Sequence, residues 1–427
     1  RRILEHCNHR NIRQYSTGRV VVAMEGSKLS SRELIALLAM MVGTVAFSVD
    51  GMLPALPQIA DDLSPDAPKR AQEILVWFMV GMGVGTFFVG PLSDAFGRRK
   101  VIIVGLLFYI AMGFVAFISS SLEIALIARF FQGLGAAAPR IVSQAIIRDL
   151  FSGRKMAQLI SLVMVIFSLT PAFAPLVGEQ IMAVSGWRGI FLAFVLFGIV
   201  LLTWFSARLG ETLPPEKRRV FQRSQILPSL REMYANRQVR LAILTQSLSY
   251  VTLFSSVILI QPIFDQSFGQ ANSFAKWFAL IAAVSAVSSL LNARLVIRFG
   301  MKKMVLASLI GQILATLFAL AYFSQASLGN SLSFFVYLIW QTGVFFQVGF
   351  TLGNLNALAL QPMGHIAGFA SSVTGGVSTV FAAFVASFVN QLFDGTPLPL
   401  VISSLVMVCI AGVVASRLPA DAPDPSL

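Results

Sequence analysis

Four charged side chains interrupt apolar stretches long enough to cross a bilayer: Asp50, Arg129, Arg140 and Glu179. Charge in such surroundings is costly, so each is expected to face a cavity or a partner. Asp50 falls roughly 10 Å, and Arg129 roughly 8 Å, from the outer ends of their stretches, at about 1.5 Å of rise per residue. Opposite charges at matched depth suit proton binding and release, because desolvation and a nearby cation push a carboxyl in opposite directions. The plainer alternative is a permanent ion pair that only holds two helices together.

Arg140 follows Arg129 by eleven residues, about three helical turns plus 20°. Both then share a face with Gln132, Gly133, Ser143 and Gln144, a polar stripe on one helix. Arg140 suits an anionic or amphiphilic substrate, or else snorkels to the surface. His6, Cys7 and His9 have metal-like spacing but no fourth ligand nearby. Gly81, Gly83, Gly85 and Gly90 lie in an apolar run without the strand or Lys-Ser/Thr of a nucleotide loop. They read as close helix packing. No cofactor or metal is expected. No His/Cys/carboxylate cluster in the apolar stretches suggests an enzyme.

The elements that position these residues are read from composition. Of 427 residues, 56% are hydrophobic and 12% charged, too few charges to cover a soluble domain. Apolar runs of bilayer length predict spans at 34–57, 75–93, 101–118, 124–147, 157–183, 190–207, 241–262, 277–292, 304–323, 333–356, 366–390 and 399–416. With the N-terminus inside, 26 basic residues lie in inner segments, 4 outside (Lys69, Arg70, Arg188, Lys276) and 2 in spans. That bias fixes orientation, with both termini cytoplasmic. The net charge of +13 is thus a topology signal and a lipid contact, and nucleic acid is not needed. Five units are expected: a basic segment 1–33, a bundle 34–207, a cytoplasmic linker 208–240, a second bundle 241–416, and a tail 417–427. Residues 1–23 are read as lying upstream of the true start.

The halves repeat. GPLSDAFGRRK (Gly90 to Lys100) and ARLVIRFGMKK (Ala293 to Lys303) occupy the same turn of each half, with Phe96-Gly97 matching Phe299-Gly300. Two parallel six-span repeats are a transporter plan.

With these motifs in hand, residues 30–418 resemble the major facilitator superfamily. GPLSDAFGRRK is similar to its signature loop and RFFQGLGAAA (Arg129 to Ala138) to its fourth-helix motif. FSVDGMLPALPQIADDL, NALALQPMGHIAGFASS, IIRDLF and GWRGIF resemble the bicyclomycin/chloramphenicol-resistance branch of twelve-span drug:proton antiporters. The fifth-helix motif departs from that pattern: in TPAFAPLVGEQ, Glu179 stands in place of a glycine.

The resemblance implies an all-α integral membrane protein with two six-helix bundles related by a pseudo-twofold axis. It implies a monomer in a bacterial inner membrane that exports drug-like molecules in exchange for protons. The alternatives are a proton-coupled symporter or facilitator of a metabolite, and a sensor built on the same fold. Proton coupling is assigned to Asp50 and Arg129. Arg140, Gln132, Gln144, Gln246 and Asn354 are assigned to the substrate cavity. Gly90, Asp94, Gly97, Arg98, Asp149, Glu179 and Lys276 are assigned to gating. Asp94 is expected to cap a neighbouring helix, Arg98 to reach Asp149, and Glu179 to pair with Lys276 while the cavity faces inward. Arg99 and Lys100 read equally well as headgroup anchors.

Overall fold

The computed structural model describes residues 21–24, 27–218, 223–325, 328 and 330–419. His6, Cys7, His9 and the leader up to residue 20 lie outside the described residues, as does the tail from 420. An antiparallel hairpin of β1 (Val21–Met24) and β2 (Ser27–Ser30) comes first and is not anticipated by the all-α expectation.

The remainder is helical: α1 (Ser31–Asp50), α2 (Leu56–Leu63), α3 (Glu73–Phe96), α4 (Arg98–Ile118), α5 (Leu122–Leu150) and α6 (Gly153–Arg208), then α7 (Arg223–Ala235), α8 (Arg237–Pro262), α9 (Phe274–Phe299), α10 (Met301–Phe323), α11 (Ser331–Leu360), α12 (Ala367–Gln391) and α13 (Leu398–Ser416). Among the described residues, nine helical stretches are long and apolar enough to cross a membrane. Two of them each contain two expected spans. Leu162–Arg208 is broken at Gly186 (φ 65°), and Ser331–Gln391 at Gln361–Ile366. Helix α5, which carries Arg129 and Arg140, completes the twelve.

The pseudo-twofold axis is visible in which helices touch. Within the first half α3 packs on α5, α4 on α5 and on the second part of α6. Within the second half α9 packs on α11, α10 on α11 and on α13. Between halves α3 meets α12, and α6 meets α9, which exchange under the same rotation. The repeated turns also agree. Gly97 (φ 96°, ψ 153°) and Gly300 (φ 82°, ψ 159°) each end one helix and begin the next. That left-handed region favours glycine.

The basic stretch between the halves contains α7, which the sequence reading leaves as a polar connection. Its Met233 packs with Met363 and Val373 of the second half. Glu232 meets His365 at 3.1 Å.

Helices α3 and α5 approach backbone to backbone. A Cβ at Gly81 would fall on the Phe130 carbonyl, and one at Gly133 on the Phe78 carbonyl. A carbonyl in a helix cannot swing aside as a long side chain can. Gly133→Ala is therefore expected to cost the upper part of the overpacking range, about 1–3 kcal/mol. The readout is a lower thermal midpoint in detergent. An unchanged midpoint would show that the two helices separate freely.

Candidate functional site

The break in the first span organises the first half. Gly51, Pro54 and Pro57 interrupt the helix, and a 3-10 turn at Leu53–Ala55 joins α1 to α2. The Met52 N–H turns to the Val49 carbonyl, so the Ser48 carbonyl loses its helical donor. A freed backbone group at membrane depth needs a partner from the protein. Arg129 supplies it: Nη2 donates to the Ser48 oxygen at 2.9 Å.

Arg129 is fully buried and is one of the largest such side chains in the chain. Its Nε donates to the Ile74 carbonyl (3.2 Å) and its Nη1 to Gln132 Oε1 (2.8 Å). The guanidinium lies 4.2 Å from the Phe78 ring centroid, with Phe191 and Phe194 just under 6 Å away. The Ser48 hydroxyl shares a 2.7 Å hydrogen bond with Tyr109 on α4. One cation thus links the first, second, fourth and sixth spans.

This geometry revises the expected Asp50–Arg129 pair. Among the described residues no ion pair joins them. Arg129 reaches the backbone two residues before Asp50 and gives its donors to neutral acceptors. Asp50 is 7% exposed and has no cation within salt-bridge distance. Gly178 of α6 packs directly on the Gly51 carbonyl, and a Cβ there would collide with it. The two membrane acids, Asp50 and Glu179, therefore sit in chain positions next to touching glycines.

A cavity of about 600 Å³ lies between the halves toward the end carrying the Gly97 turn. Gly90, Asp94, Arg98, Arg140, Gln144 and Asp149 line it from the first half. Gln246 lines it from the second, beside Tyr250 and Asn356. The polar stripe on α5 is thereby divided: Arg140 and Gln144 reach the cavity, whereas Arg129 and Gln132 are enclosed. Gln132 is fully buried against Arg129, and Asn354 pairs with Asn292 at 2.8 Å, so neither lines the cavity. A polar residue on a helix has no cavity-facing mark in its sequence, which is why both were misplaced and Tyr250 was missed.

At the cavity's basic end, Arg98 holds a compact network. Nε donates to Asp149 Oδ2 at 2.9 Å, and Nη1 donates to Ser93 Oγ (2.7 Å) and, very closely, to Asp94. Thr212 also donates to Asp149. Asp94 thus pairs with Arg98 instead of capping a helix. The cap on α4 comes from Glu211, which accepts from the backbone N–H groups of Arg98 (2.9 Å) and Arg99 (3.3 Å). Negative charge at a helix N-terminus is favoured. Glu211 was missed because it follows the sixth span and reaches that turn only through the fold. Arg99 Nη2 donates to the Ser206 carbonyl instead of standing free. These contacts lie within the first half and the start of the linker that follows it, so they do not bridge the bundles here.

The opposite end is closed between the halves. Lys69 Nζ donates to the Gln391 carbonyl (3.2 Å), and Asn390 Nδ2 donates to the Lys69 carbonyl (3.0 Å). The expected Glu179–Lys276 ion pair is not formed among the described residues: Lys276 is exposed and Glu179 half-buried. The Gln391 carbonyl and the Asn390 side-chain amide at the end of α12 take the closing role, and α3 and α12 approach closely, with a Cβ at Gly83 falling 2.7 Å from Val380. Among the described residues, no group of three or more His, Cys, Asp or Glu side chains could hold a metal ion.

Comparison with known proteins agrees with this architecture. A Bacillus subtilis protein, the uncharacterized MFS-type transporter YdgK, is 28% identical over 365 residues, covering 83% of this chain and 88% of the relative. The bicyclomycin resistance protein homolog of Haemophilus influenzae is 28% identical over 369 residues, covering 86% and 90%. The multidrug resistance protein MdtL of Citrobacter koseri is 29% identical over 369 residues, covering 85% and 90%. Among solved structures, a D-xylose-proton symporter superposes with a TM-score of 0.71 at 13% identity, covering 90% of this chain and 96% of that one; this likeness bears on the fold alone. The sequence profile of the Major Facilitator Superfamily matches residues 36–387. With twelve spans in two related bundles around a shared cavity, this chain belongs to the Major Facilitator Superfamily of membrane transporters.

Proposed function

We propose that the protein exports small drug-like or amphiphilic molecules in exchange for protons, by alternating access. The observation that carries this reading is the separation of an acid from a cavity. Asp50 is enclosed at a helix break, while the cavity between the bundles is open at one end and sealed at the other. Carrying Asp50 as a neutral acid removes the cost of an unpaired buried charge. Giving the proton up then requires a rearrangement that admits water or a cation, which ties proton movement to the state of the transporter. The names of the Haemophilus and Citrobacter relatives support a drug-like substrate.

In this reading the basic end is cytoplasmic, following the distribution of Lys and Arg. Both termini, the linker 208–240 and the tail 417–427 then lie inside a bacterial inner membrane. With that orientation the cavity faces inward, and Lys69, Asn390 and Gln391 close the periplasmic side. The Asp94–Arg98–Asp149 cluster keeps the second and fourth spans of one bundle together during the transition. The protein acts as a monomer, with membrane lipid, substrate and protons as its partners.

The test is susceptibility profiling of an efflux-deficient bacterial host that expresses the chain. Expected is a rise in the inhibitory concentration of at least one amphiphilic antibacterial class. Collapsing the proton gradient should restore accumulation of that compound. Accumulation of every compound tested, unchanged by expression of a folded protein, would remove the export reading. Proton-dependent uptake of a metabolite instead would install the symporter.

A further inference from the structure

The charges lining the cavity do not balance, and the imbalance has a location. Four cations line it, Arg98, Arg140, Arg148 and Lys217, against two acids, Asp94 and Asp149. Both acids are bound to Arg98. Arg148 and Lys217 are exposed at the basic end, where they raise the local concentration of anions near the opening. Arg140 is different. It projects from the middle of α5, just after Pro139, and is half-buried. Its Nη1 meets Met82 Sδ at 3.4 Å, a weak acceptor. Among the described residues no carboxylate lies within 4.0 Å of it.

A guanidinium carries five N–H donors in a planar fork suited to an oxyanion. Here nearly all of them remain available, in contrast with Arg129, whose Nε, Nη1 and Nη2 are each already bonded. The facing wall from the second half is neutral. Gln246 is 3% exposed, with an amide oxygen that has no hydrogen-bond partner, and Tyr250 and Asn356 stand beside it. Ile141, Phe167 and Leu352 supply apolar surface. A cationic substrate would find both acids of this cavity already paired with Arg98 and would be repelled by Arg140. An anion would find one ready fork, a neutral polar wall and an apolar bed.

We propose that the cavity selects organic anions, with a carboxylate, sulfonate or ionised phenol held by Arg140 and an apolar body packed against Ile141, Phe167 and Leu352. This inference rests on the reading of the cavity as the substrate site and adds the charge of the substrate to it.

Three probes of one skeleton separate the two ideas: naphthalene-1-sulfonate, naphthalen-1-ylmethanol and naphthalen-1-ylmethylammonium. Calorimetric titration of the full chain in detergent is expected to show the sulfonate binding at least about tenfold more tightly than the other two, a difference one well-placed charge supplies. Arg140→Gln should abolish that preference by weakening sulfonate binding about tenfold, to the level of the alcohol. Arg140→Lys should keep part of it, which also shows that the position tolerates substitution without loss of fold. Equal or tighter binding of the ammonium by the wild type would overturn the proposal, as would an anion preference that survives Arg140→Gln. If the folded protein binds none of the three, the reading of the cavity as the substrate site fails first, and the anion proposal with it.

Discussion

Asp50→Asn is expected to reduce export driven by a pH gradient in proteoliposomes to the rate of protein-free vesicles. The amide has the shape of the protonated acid and cannot release a proton. Asp50 has no cation against it, so the substitution breaks no ion pair and the packing at Gly51 and Gly178 is kept. Substrate counterflow, which needs no net proton movement, should persist in the same vesicles. The wild type should show counterflow that varies with pH, and the variant should lose that dependence. Wild-type gradient-driven rates in Asp50→Asn would exclude this residue from coupling. Glu179, one residue from the glycine that contacts Gly51, would then be the remaining membrane acid to test.

Arg129→Ala is expected to damage the fold more than the chemistry. The substitution leaves the Ser48 and Ile74 carbonyls and the Gln132 amide oxygen without their donor. It also opens a cavity between Phe78, Phe191 and Phe194. Bonds to a charged donor contribute roughly 1.5–3 kcal/mol each, and large-to-small core changes cost roughly 2–5 kcal/mol. These overlap, so the combined loss is expected at roughly 3–5 kcal/mol, a large share of a typical total stability of about 5–15 kcal/mol. The measurement is the yield of monodisperse protein and its thermal midpoint. Arg129→Lys should recover little, because one ammonium cannot span three acceptors fixed on three spans. An Arg129→Ala protein with a wild-type midpoint would show that the Ser48 carbonyl finds another partner. The ion-pair account predicts that Asp50→Asn destabilises too, whereas the observed geometry predicts that it does not. Thermal midpoints of the two variants therefore separate the accounts directly.

The sequence by itself determined the class of fold and its repeat. Apolar runs of bilayer length and the placement of Lys and Arg specify the twelve spans, since a helix in hydrocarbon must satisfy its own backbone. Phe96-Gly97 and Phe299-Gly300 marked the same turn in both halves, because a left-handed residue between two helices requires glycine. The residues whose charge is costly in a membrane were legible for the same reason. Their partners were not. Arg129 and Asp50 share depth and opposite sign, yet depth is one coordinate out of three. The break at Gly51 frees the Ser48 carbonyl, and Arg129 satisfies it instead of the acid. Helical spacing put Arg129, Gln132, Arg140 and Gln144 on one stripe. Only the packing of α3 against α5 decided that the first two are enclosed and the last two reach the cavity. Glu211 caps a helix more than a hundred residues earlier in the chain, and Lys69 seals the far end against the Gln391 carbonyl and the Asn390 amide of α12. Such contacts depend on which helices the tertiary fold brings side by side. No local pattern carries that information, because a backbone carbonyl has the same chemistry in every residue.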